Sequence, residues 1–202
     1  MDQEEWIIQD PHPNWYFEVP EMKVLILGSY PPHHKRWSYD FYYPNNSNPF
    51  WDALAGVKGI ELKHYRCDTA VKERQQLMID MKVGVENLGQ IIKRKGESAA
   101  DNDIKIEKFR DIKGILDRHR EIEKILLPGF SGKSSTYHSF KRYMKENNID
   151  SLTLPTKVKE NETFKIIYAG KEIECVILNS TSKRNAMKLD ERIKQFKEHI
   201  KI

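Results

Sequence analysis

Residues 36–51 read RWSYDFYYPNNSNPFW and concentrate aromatic, asparagine and proline side chains directly after Lys35. The segment lies a few residues beyond an apolar run that ends in Gly28. Aromatic faces stack on nucleobases, amides hydrogen-bond to base edges, and cations hold phosphate groups. A globular core needs no such concentration of polar aromatic residues on a loop. The segment therefore predicts one wall of a pocket for a nucleobase that has left its stack.

The composition predicts a single globular domain over residues 1–202, with 39% hydrophobic and 32% charged residues. A net charge of +4 permits nucleic-acid binding without requiring it. No apolar run approaches the roughly 20 residues that span a membrane, and the acidic start MDQEE is not typical of a signal peptide. We therefore expect a cytoplasmic monomer that makes no contact with a membrane.

The cysteine and histidine residues predict neither a metal site nor an iron–sulfur cluster. Cys67 and Cys175 are too few for a four-thiolate cluster or a cysteine-rich zinc site, so we expect both to be reduced and buried. His33 and His34 are adjacent, and neighbouring residues of a regular element do not face one metal ion. No cofactor is expected.

Apolar runs alternate with helical patterns along the chain, which predicts an α/β fold. The expected architecture is a three-layer sandwich, with a central, mostly parallel four-stranded sheet between helices and a C-terminal β-hairpin. Ligands of such sheets bind beyond the carboxyl ends of the strands. We therefore expect chemistry in the loops after Leu27, Val85, Leu127 and Leu178. The expected strands cover residues 23–27, 82–88, 122–127, 152–155, 164–168 and 173–178, and the expected helices start at 50 and cover 107–120, 134–147 and 182–201.

Motifs in these loops resemble the uracil-DNA glycosylase superfamily. An apolar strand leads into GSYPP at residues 28–32, which is similar to the Gly-x-x-Pro of the first superfamily motif. NPFW at residues 48–51 resembles the Asn-x-Phe-Trp of the mismatch-specific and hypoxanthine-DNA glycosylase groups, and STSKRNA at residues 180–186 resembles the second motif. Residues 84–101 are similar to a loop of the hypoxanthine group. The closest resemblance is to that branch.

The resemblance implies a DNA glycosylase that hydrolyses the N-glycosidic bond of a flipped deaminated base, uracil or hypoxanthine, in damaged DNA. Two positions depart from the superfamily pattern. Tyr30 stands where several families carry an Asp or Asn that activates water, and Ser180 stands where the classical uracil enzymes carry a His. The hypoxanthine group also lacks an acid at the first position and relies on the Asn that Asn48 matches.

Three residues are candidates for the catalytic step. Asn48 can position water or hydrogen-bond the base, because an amide both donates and accepts, but it cannot act as a general base. It can equally cap the helix expected from Phe50. Gly28 and Ser29 offer backbone N–H groups near the leaving base, although a glycine also ends strands for steric reasons alone.

Three further residues are candidates for binding the base. Tyr43 would stack on the base face, or else pack its own loop. Asn87 follows the second strand, where the superfamily often keeps a residue that reads the base edge, although an ordinary turn also favours Asn. Tyr30 belongs to the first motif and completes this set.

Ser180, Thr181 and Ser182 are expected at the start of the last helix, where hydroxyls, backbone N–H groups and the helix dipole grip phosphate. Lys183 and Arg184 follow them and would contact DNA. Arg184 falls where related enzymes insert a wedge residue into the duplex, and a solvated arginine is the alternative.

Two other functions fit the sequence less well than a glycosylase. A nucleic-acid-binding module that kept the fold and lost catalysis is favoured by Tyr30 and Ser180. An enzyme that acts on free nucleosides or nucleotides would need no polymer and no role for Arg184. The run GFSGKS at residues 129–134 is two residues shorter than a P-loop, so an NTPase is not expected.

Overall fold

A computed structural model describes residues 5–98 and 100–201, without the side chain of Asp101. The strands are β1 (Trp6–Ile8), β2 (Val24–Gly28), β3 (Val83–Asn87), β4 (Gly89–Lys95), β5 (Ile104–Phe109), β6 (Lys124–Pro128), β7 (Asp150–Ser151), β8 (Thr163–Tyr168) and β9 (Lys171–Leu178). The α-helices are α1 (Phe50–Lys58), α2 (Cys67–Met81), α3 (Ile112–Arg118), α4 (Thr136–Glu146) and α5 (Leu189–Lys197). None of these described helices has the length and apolar character needed to cross a membrane.

The central sheet has the strand order β3-β2-β6-β9-β8-β7. Its first four strands run parallel, and β8 and β7 extend it antiparallel. The mixed α/β class and the mostly parallel sheet are confirmed. The expected count of four strands is wrong, because the hairpin is part of the sheet. Its second strand, β9, pairs with β6 on one side and with β8 on the other, so it closes the parallel set and carries the antiparallel extension.

The parallel strands are buried along nearly their whole length. Every residue of β2 and of β3 is buried, which requires cover on both faces of the sheet. Helices α1 and α5 pack against each other at Gly56, where a Cβ would overlap the Ile193 side chain. The absence of a side chain at this position therefore lets the first and last helices approach closely.

A second sheet of three antiparallel strands, β1-β4-β5, was not anticipated from the sequence. The helix expected over residues 107–120 starts only at Ile112, since its first residues belong to β5. In β5 the buried Ile104 and Ile106 alternate with exposed residues, which is the period of a strand. The helix begins later because Asp111 Oδ1 accepts a hydrogen bond from Gly114 N–H (2.9 Å) and caps α3.

Three smaller expectations also differ from the structure. Helix α2 was not anticipated, because its polar residues hide the helical period. The brief strand expected at residues 152–155 lies at Asp150–Ser151 instead. Cys175 is buried as expected, but Cys67 is exposed at the start of α2, and neither forms a disulfide.

The last helix begins at Leu189, not at Ser182, so the expectation that Ser180, Thr181 and Ser182 start a helix is wrong. Ser180 Oγ and Ser182 Oγ each accept the backbone N–H two residues further along, and such local bonds compete with helix formation. The buried Arg192 of α5 donates to the carbonyl oxygens of Ser180 (2.6 Å), Ser182 (3.2 Å) and Asn185 (2.9 Å). The segment is therefore a loop held by an arginine, and no helix dipole acts on a phosphate bound there.

We expect Arg192→Met to lower the free energy of unfolding by about 2–3 kcal/mol, because three carbonyl oxygens lose their donor. The loop should also become more mobile, so trypsin should cleave after Lys183 and Arg184 faster than in the wild type. Urea denaturation and limited proteolysis measure the two effects. Lys194→Met, on the exposed side of the same helix, is the matched control. Equal cleavage rates in wild type and Arg192→Met would contradict this role.

Candidate functional site

A cleft of about 670 Å³ lies at the carboxyl edge of the parallel strands. Its walls include residues from the loops after β2, β6 and β9 and Asn87 at the end of β3, at the edge where the topology predicted the chemistry. The structure brings every candidate residue from the sequence to this cleft, while their chemical roles stay predictions. These residues are Gly28, Ser29, Tyr30, Tyr43, Asn48, Asn87, Ser180, Thr181, Ser182, Lys183 and Arg184.

The lining of the cleft is cationic and rich in amides. Among the described side chains that line it, none is an Asp, Glu or His. Such a surface attracts anionic ligands and offers them many hydrogen-bond donors, but it holds no ordinary general base. The cations are Arg36, Arg94, Lys183 and Arg184, and the amides are Asn45, Asn48, Asn87, Asn102, Asn179 and Asn185.

Asn48 lies at the start of α1 and is half-buried in the cleft wall. Its Oδ1 accepts a hydrogen bond from the Phe50 N–H (3.1 Å) at the first residue of α1, although the N-cap position itself is Pro49. The Nδ2 end of the amide is the donor that this arrangement leaves for a ligand. Asn48 therefore stabilises the start of α1 and also presents a polar group to the cleft.

Gly28, Tyr43 and Asn87 meet at one corner of the cleft. A Cβ on Gly28 would overlap Asn87 Oδ1 and lie 3.3 Å from Tyr43 Oη. Asn87 is only 5% exposed, so its side chain has little room to yield. Tyr43 adopts a left-handed backbone conformation (φ 48°), and its ring stacks on Phe50 with centroids 3.7 Å apart. Only a glycine at position 28 permits this close arrangement.

A buried polar network holds Asn87 from behind. The Asn87 backbone N–H and the Tyr42 hydroxyl both donate to Glu86 Oε1 (2.8 Å each). Arg110 Nε lies 2.9 Å from the same oxygen as an ion pair. Burial raises the pKa of the Glu86 carboxyl, and the Arg110 charge opposes that rise. His12 Nε2 lies 2.9 Å from Asn87 Nδ2.

Sequence reasoning missed this network. Glu86 carries one signal, since a carboxylate inside an apolar strand needs a partner. The sequence gives no sign that Arg110 supplies that partner or that His12 reaches Asn87, because both come from distant parts of the chain.

Tyr30 and Arg94 form a further part of the cleft wall. The Tyr30 hydroxyl donates to the Asp10 carbonyl (2.8 Å), and burial raises its pKa to about 12. Arg94 is buried below the Tyr30 ring and donates to the carbonyl oxygens of Pro31 (2.7 Å) and Ser98 (2.5 Å). Arg94 lies between Lys93 and Lys95, but its side chain is buried, whereas those of its two neighbours are half-buried. Tyr30 thus presents its ring, not its hydroxyl, to the cleft.

The loop between β9 and α5 supplies the most exposed part of the lining. Thr181 is buried, whereas Lys183 and Arg184 are exposed. Because Arg192 fixes the carbonyl oxygens of this loop, the two cations project from an anchored backbone. Among the described residues, no group of three or more His, Cys, Asp and Glu side chains is placed to hold a metal ion.

No protein-family model and no curated protein matches this chain. The fold and the cleft define its class: a mixed α/β domain with a cationic, amide-lined cleft at the carboxyl edge of four parallel strands. The resemblance of the motifs to the superfamily stays a prediction, and the evidence on function comes from the residues of the cleft.

We expect Gly28→Ala to lower the free energy of unfolding by about 1–3 kcal/mol, because the added methyl group overlaps the packed Asn87 side chain. The same substitution in an Asn87→Ala background should cost much less, since the overlapping atom is gone. Thermal or urea denaturation of the two single variants and the double variant measures the coupling energy. Additive effects of the two substitutions would show that the corner is not packed as described.

Proposed function

We propose that this protein is a monofunctional DNA glycosylase that excises a deaminated base, uracil or hypoxanthine, and leaves an abasic site. The observation that carries the proposal is the convergence of cations, amides and a stacked tyrosine in one cleft. A base in a duplex has to leave the stack before its glycosidic bond is accessible. An enzyme with this task needs a concave site for the base and cations for the backbone beside it.

The size and charge of the cleft suit a flipped nucleotide. Its volume of about 670 Å³ falls within the roughly 300–1,000 Å³ of small-molecule sites, which is room for a base, its sugar and a neighbouring phosphate. Arg36, Lys183 and Arg184 are exposed at the cleft and are free to follow a phosphate backbone. Lys183 is exposed and keeps its hydration, so it is not the desolvated amine that a Schiff-base mechanism needs.

Tyr43 and Asn87 are proposed to hold the extruded base. Tyr43 is backed by Phe50, so it offers an aromatic surface of fixed orientation. Asn87 is anchored at both its backbone and its side chain, which favours a defined set of hydrogen bonds to the base edge. Tyr30 borders the same space through its ring.

Bond cleavage is proposed to proceed by departure of the base as an anion. The electrons of the C–N bond leave with the base, and a hydrogen bond from Asn48 Nδ2 stabilises the negative charge that develops. Gly28 and Ser29 border the same space, but Gly28 belongs to the β2–β3 ladder opposite Asn87. A water molecule then adds to the sugar cation and loses its proton to the departing base or to solvent. Because Asn48 cannot remove a proton, the rate gain comes from positioning and electrostatics.

A glycosylase assay on oligonucleotides with uracil, hypoxanthine or xanthine, single-stranded and paired with each base, tests the proposal. Alkali converts each abasic site into a strand break. We expect product on at least one lesion, and a loss of about 100-fold or more in Asn48→Ala, because one donor to the developing charge is removed.

Asn46→Ala is the matched control for this experiment. Asn46 lies two residues from Asn48, but its amide donates to the Tyr65 carbonyl and does not line the cleft. This variant should retain activity. Full activity in Asn48→Ala would remove Asn48 from the mechanism, and product on no lesion would reject the glycosylase.

We expect Lys183→Gln/Arg184→Gln to reduce the salt dependence of binding to single-stranded DNA. If each cation contacts one phosphate, the slope of log K against log salt becomes less negative by about 1.4 for the pair. Lys141→Gln/Lys145→Gln, on the exposed side of α4, is the matched control and should leave the slope unchanged. Fluorescence anisotropy over a salt series measures both. Identical slopes in wild type and Lys183→Gln/Arg184→Gln would place the DNA elsewhere.

A catalytically inactive nucleic-acid-binding module is the second candidate. The observation that favours it is the lack of any Asp, Glu or His among the described side chains of the lining. This module would bind single strands tightly and with strong salt dependence, and it would yield no abasic product.

A further inference from the structure

The segment before β2 carries a histidine that the proposed mechanism does not use. His12 is 4% exposed, and the rings of Trp15, Tyr30 and Tyr42 surround it. Its backbone N–H donates to the Gln90 carbonyl (2.7 Å), which ties the segment to β4. His12 does not line the cleft, yet its ring contacts a residue that does.

The contacts of the His12 ring decide which nitrogen carries the proton. Nδ1 lies 2.6 Å from the Pro13 carbonyl oxygen and 3.4 Å from Arg110 Nη1, which donates to Gln90 Oε1 at 2.8 Å. The carbonyl oxygen is the nearer neighbour and only accepts, so the proton is on Nδ1. Burial lowers the pKa of His12 to about 4, and the nearby Arg110 charge acts in the same direction. The ring is therefore neutral near neutral pH, and its Nε2 is an acceptor.

An acceptor at Nε2 determines the orientation of the Asn87 amide. Only the NH₂ group of the amide can donate to Nε2, so Nδ2 faces His12 at 2.9 Å. The amide oxygen then points to the other side, next to Gly28 at the cleft. The assignment follows from a chain of donors and acceptors that begins at the Pro13 carbonyl, whichever way the amide is drawn.

We propose that His12 is a positioning residue that fixes the Asn87 amide with its oxygen toward the cleft, and that this orientation selects bases with a protonated ring nitrogen. The inference rests on the proposed function, since it assumes that a base enters this cleft. Uracil N3 and hypoxanthine N1 carry a hydrogen and donate to the oxygen. Cytosine N3 and adenine N1 are acceptors and would face it with a lone pair.

The hydrogen bond from Asn87 Nδ2 to His12 Nε2 affects base selection because an unrestrained amide can rotate. An Asn that turns by half a revolution offers NH₂ in place of oxygen, and it would accept either class of base. Loss of this hydrogen bond should therefore reduce the discrimination between bases with a protonated ring nitrogen and bases without one, while the cations of the cleft still bind the strand. Unpaired polar groups at a base edge correspond to about 10- to 100-fold in affinity.

The test measures binding to single-stranded oligonucleotides that carry one 2′-fluoro-2′-deoxyuridine or one 2′-fluoro-2′-deoxycytidine. The fluorine disfavours a cation at the sugar, so neither is cleaved, and single strands remove the cost of base flipping. We expect the wild type to bind the uracil strand about 10-fold or more tightly. His12→Leu should bring the ratio to within about threefold of one, with unchanged affinity for an undamaged strand.

His12→Glu is the conservative variant, because a carboxylate only accepts and would lie beside Arg110. It should restore a preference for the uracil strand, which a merely structural role of His12 does not predict. Nitrogen-15 spectra of the wild-type imidazole provide a measurement that requires no variant. They should show a protonated Nδ1 and an unprotonated Nε2.

The outcomes separate this inference from the glycosylase proposal. If no lesion is cleaved but the uracil preference is present and is lost in His12→Leu, hydrolysis is rejected and the inference is supported. An unchanged ratio in His12→Leu, no preference in the wild type, or a proton on Nε2 overturns the inference even if the protein cleaves DNA. If His12→Leu does not fold, His12→Glu and the wild-type spectra decide.

Discussion

The buried carboxyl group of Glu86 is the constraint on which the candidate site depends. It lies in β3, 1% exposed, where an unpaired charge would cost several kcal/mol, on the order of 5. The groups that compensate it come from three separate parts of the chain: the Tyr42 hydroxyl, the Asn87 backbone N–H and the Arg110 guanidinium. The hydrogen bonds and the ion pair of one carboxylate therefore bring together the aromatic loop, the end of β3 and the link between β5 and α3.

Two buried arginines organise the rest of the cleft by a different route. Arg94 and Arg192 have no ion-pair partner among the described side chains, and each donates instead to backbone carbonyl oxygens of a cleft loop. Burial lowers the pKa of both guanidinium groups. A planar group with five donors can hold several carbonyl oxygens at once in a fixed geometry. The loops are thus fixed without regular secondary structure, and their polar side chains stay available to a ligand.

The candidate site has chemical consequences that follow from this construction. Its described side chains provide donors, acceptors and positive charge, but no Asp, Glu or His. Such a site suits the proposed reaction, in which a stable anion leaves, because electrostatic stabilisation of that anion needs no proton transfer. The same composition also suits binding without turnover.

Local patterns predicted the parts of the fold that depend on neighbouring residues. Continuous apolar runs indicated β2, β3 and β6, because parallel strands are buried on both faces. The Ala-Gly-Lys turn indicated the hairpin of β8 and β9. These patterns failed where long-range contacts outweigh local preference. The residues of β5 have a helical spacing, yet the strand pairs with β4. Helix α5 begins only at Leu189, because Arg192 holds the carbonyl oxygens of the preceding loop.

The sequence by itself determined that the cleft lies at the carboxyl edge of the parallel strands, since these ends share one edge of a sheet. It also determined the residue types of the lining, from Gly28 to Arg184. It did not predict that Arg94, Asn102 and Ile104 also line the cleft. Only the tertiary structure decided how the key amides are oriented. Asn48 turns its oxygen to the Phe50 N–H, and Asn87 turns its NH₂ to His12. An amide has two chemically opposite ends, and only its partners in space determine which end a ligand meets.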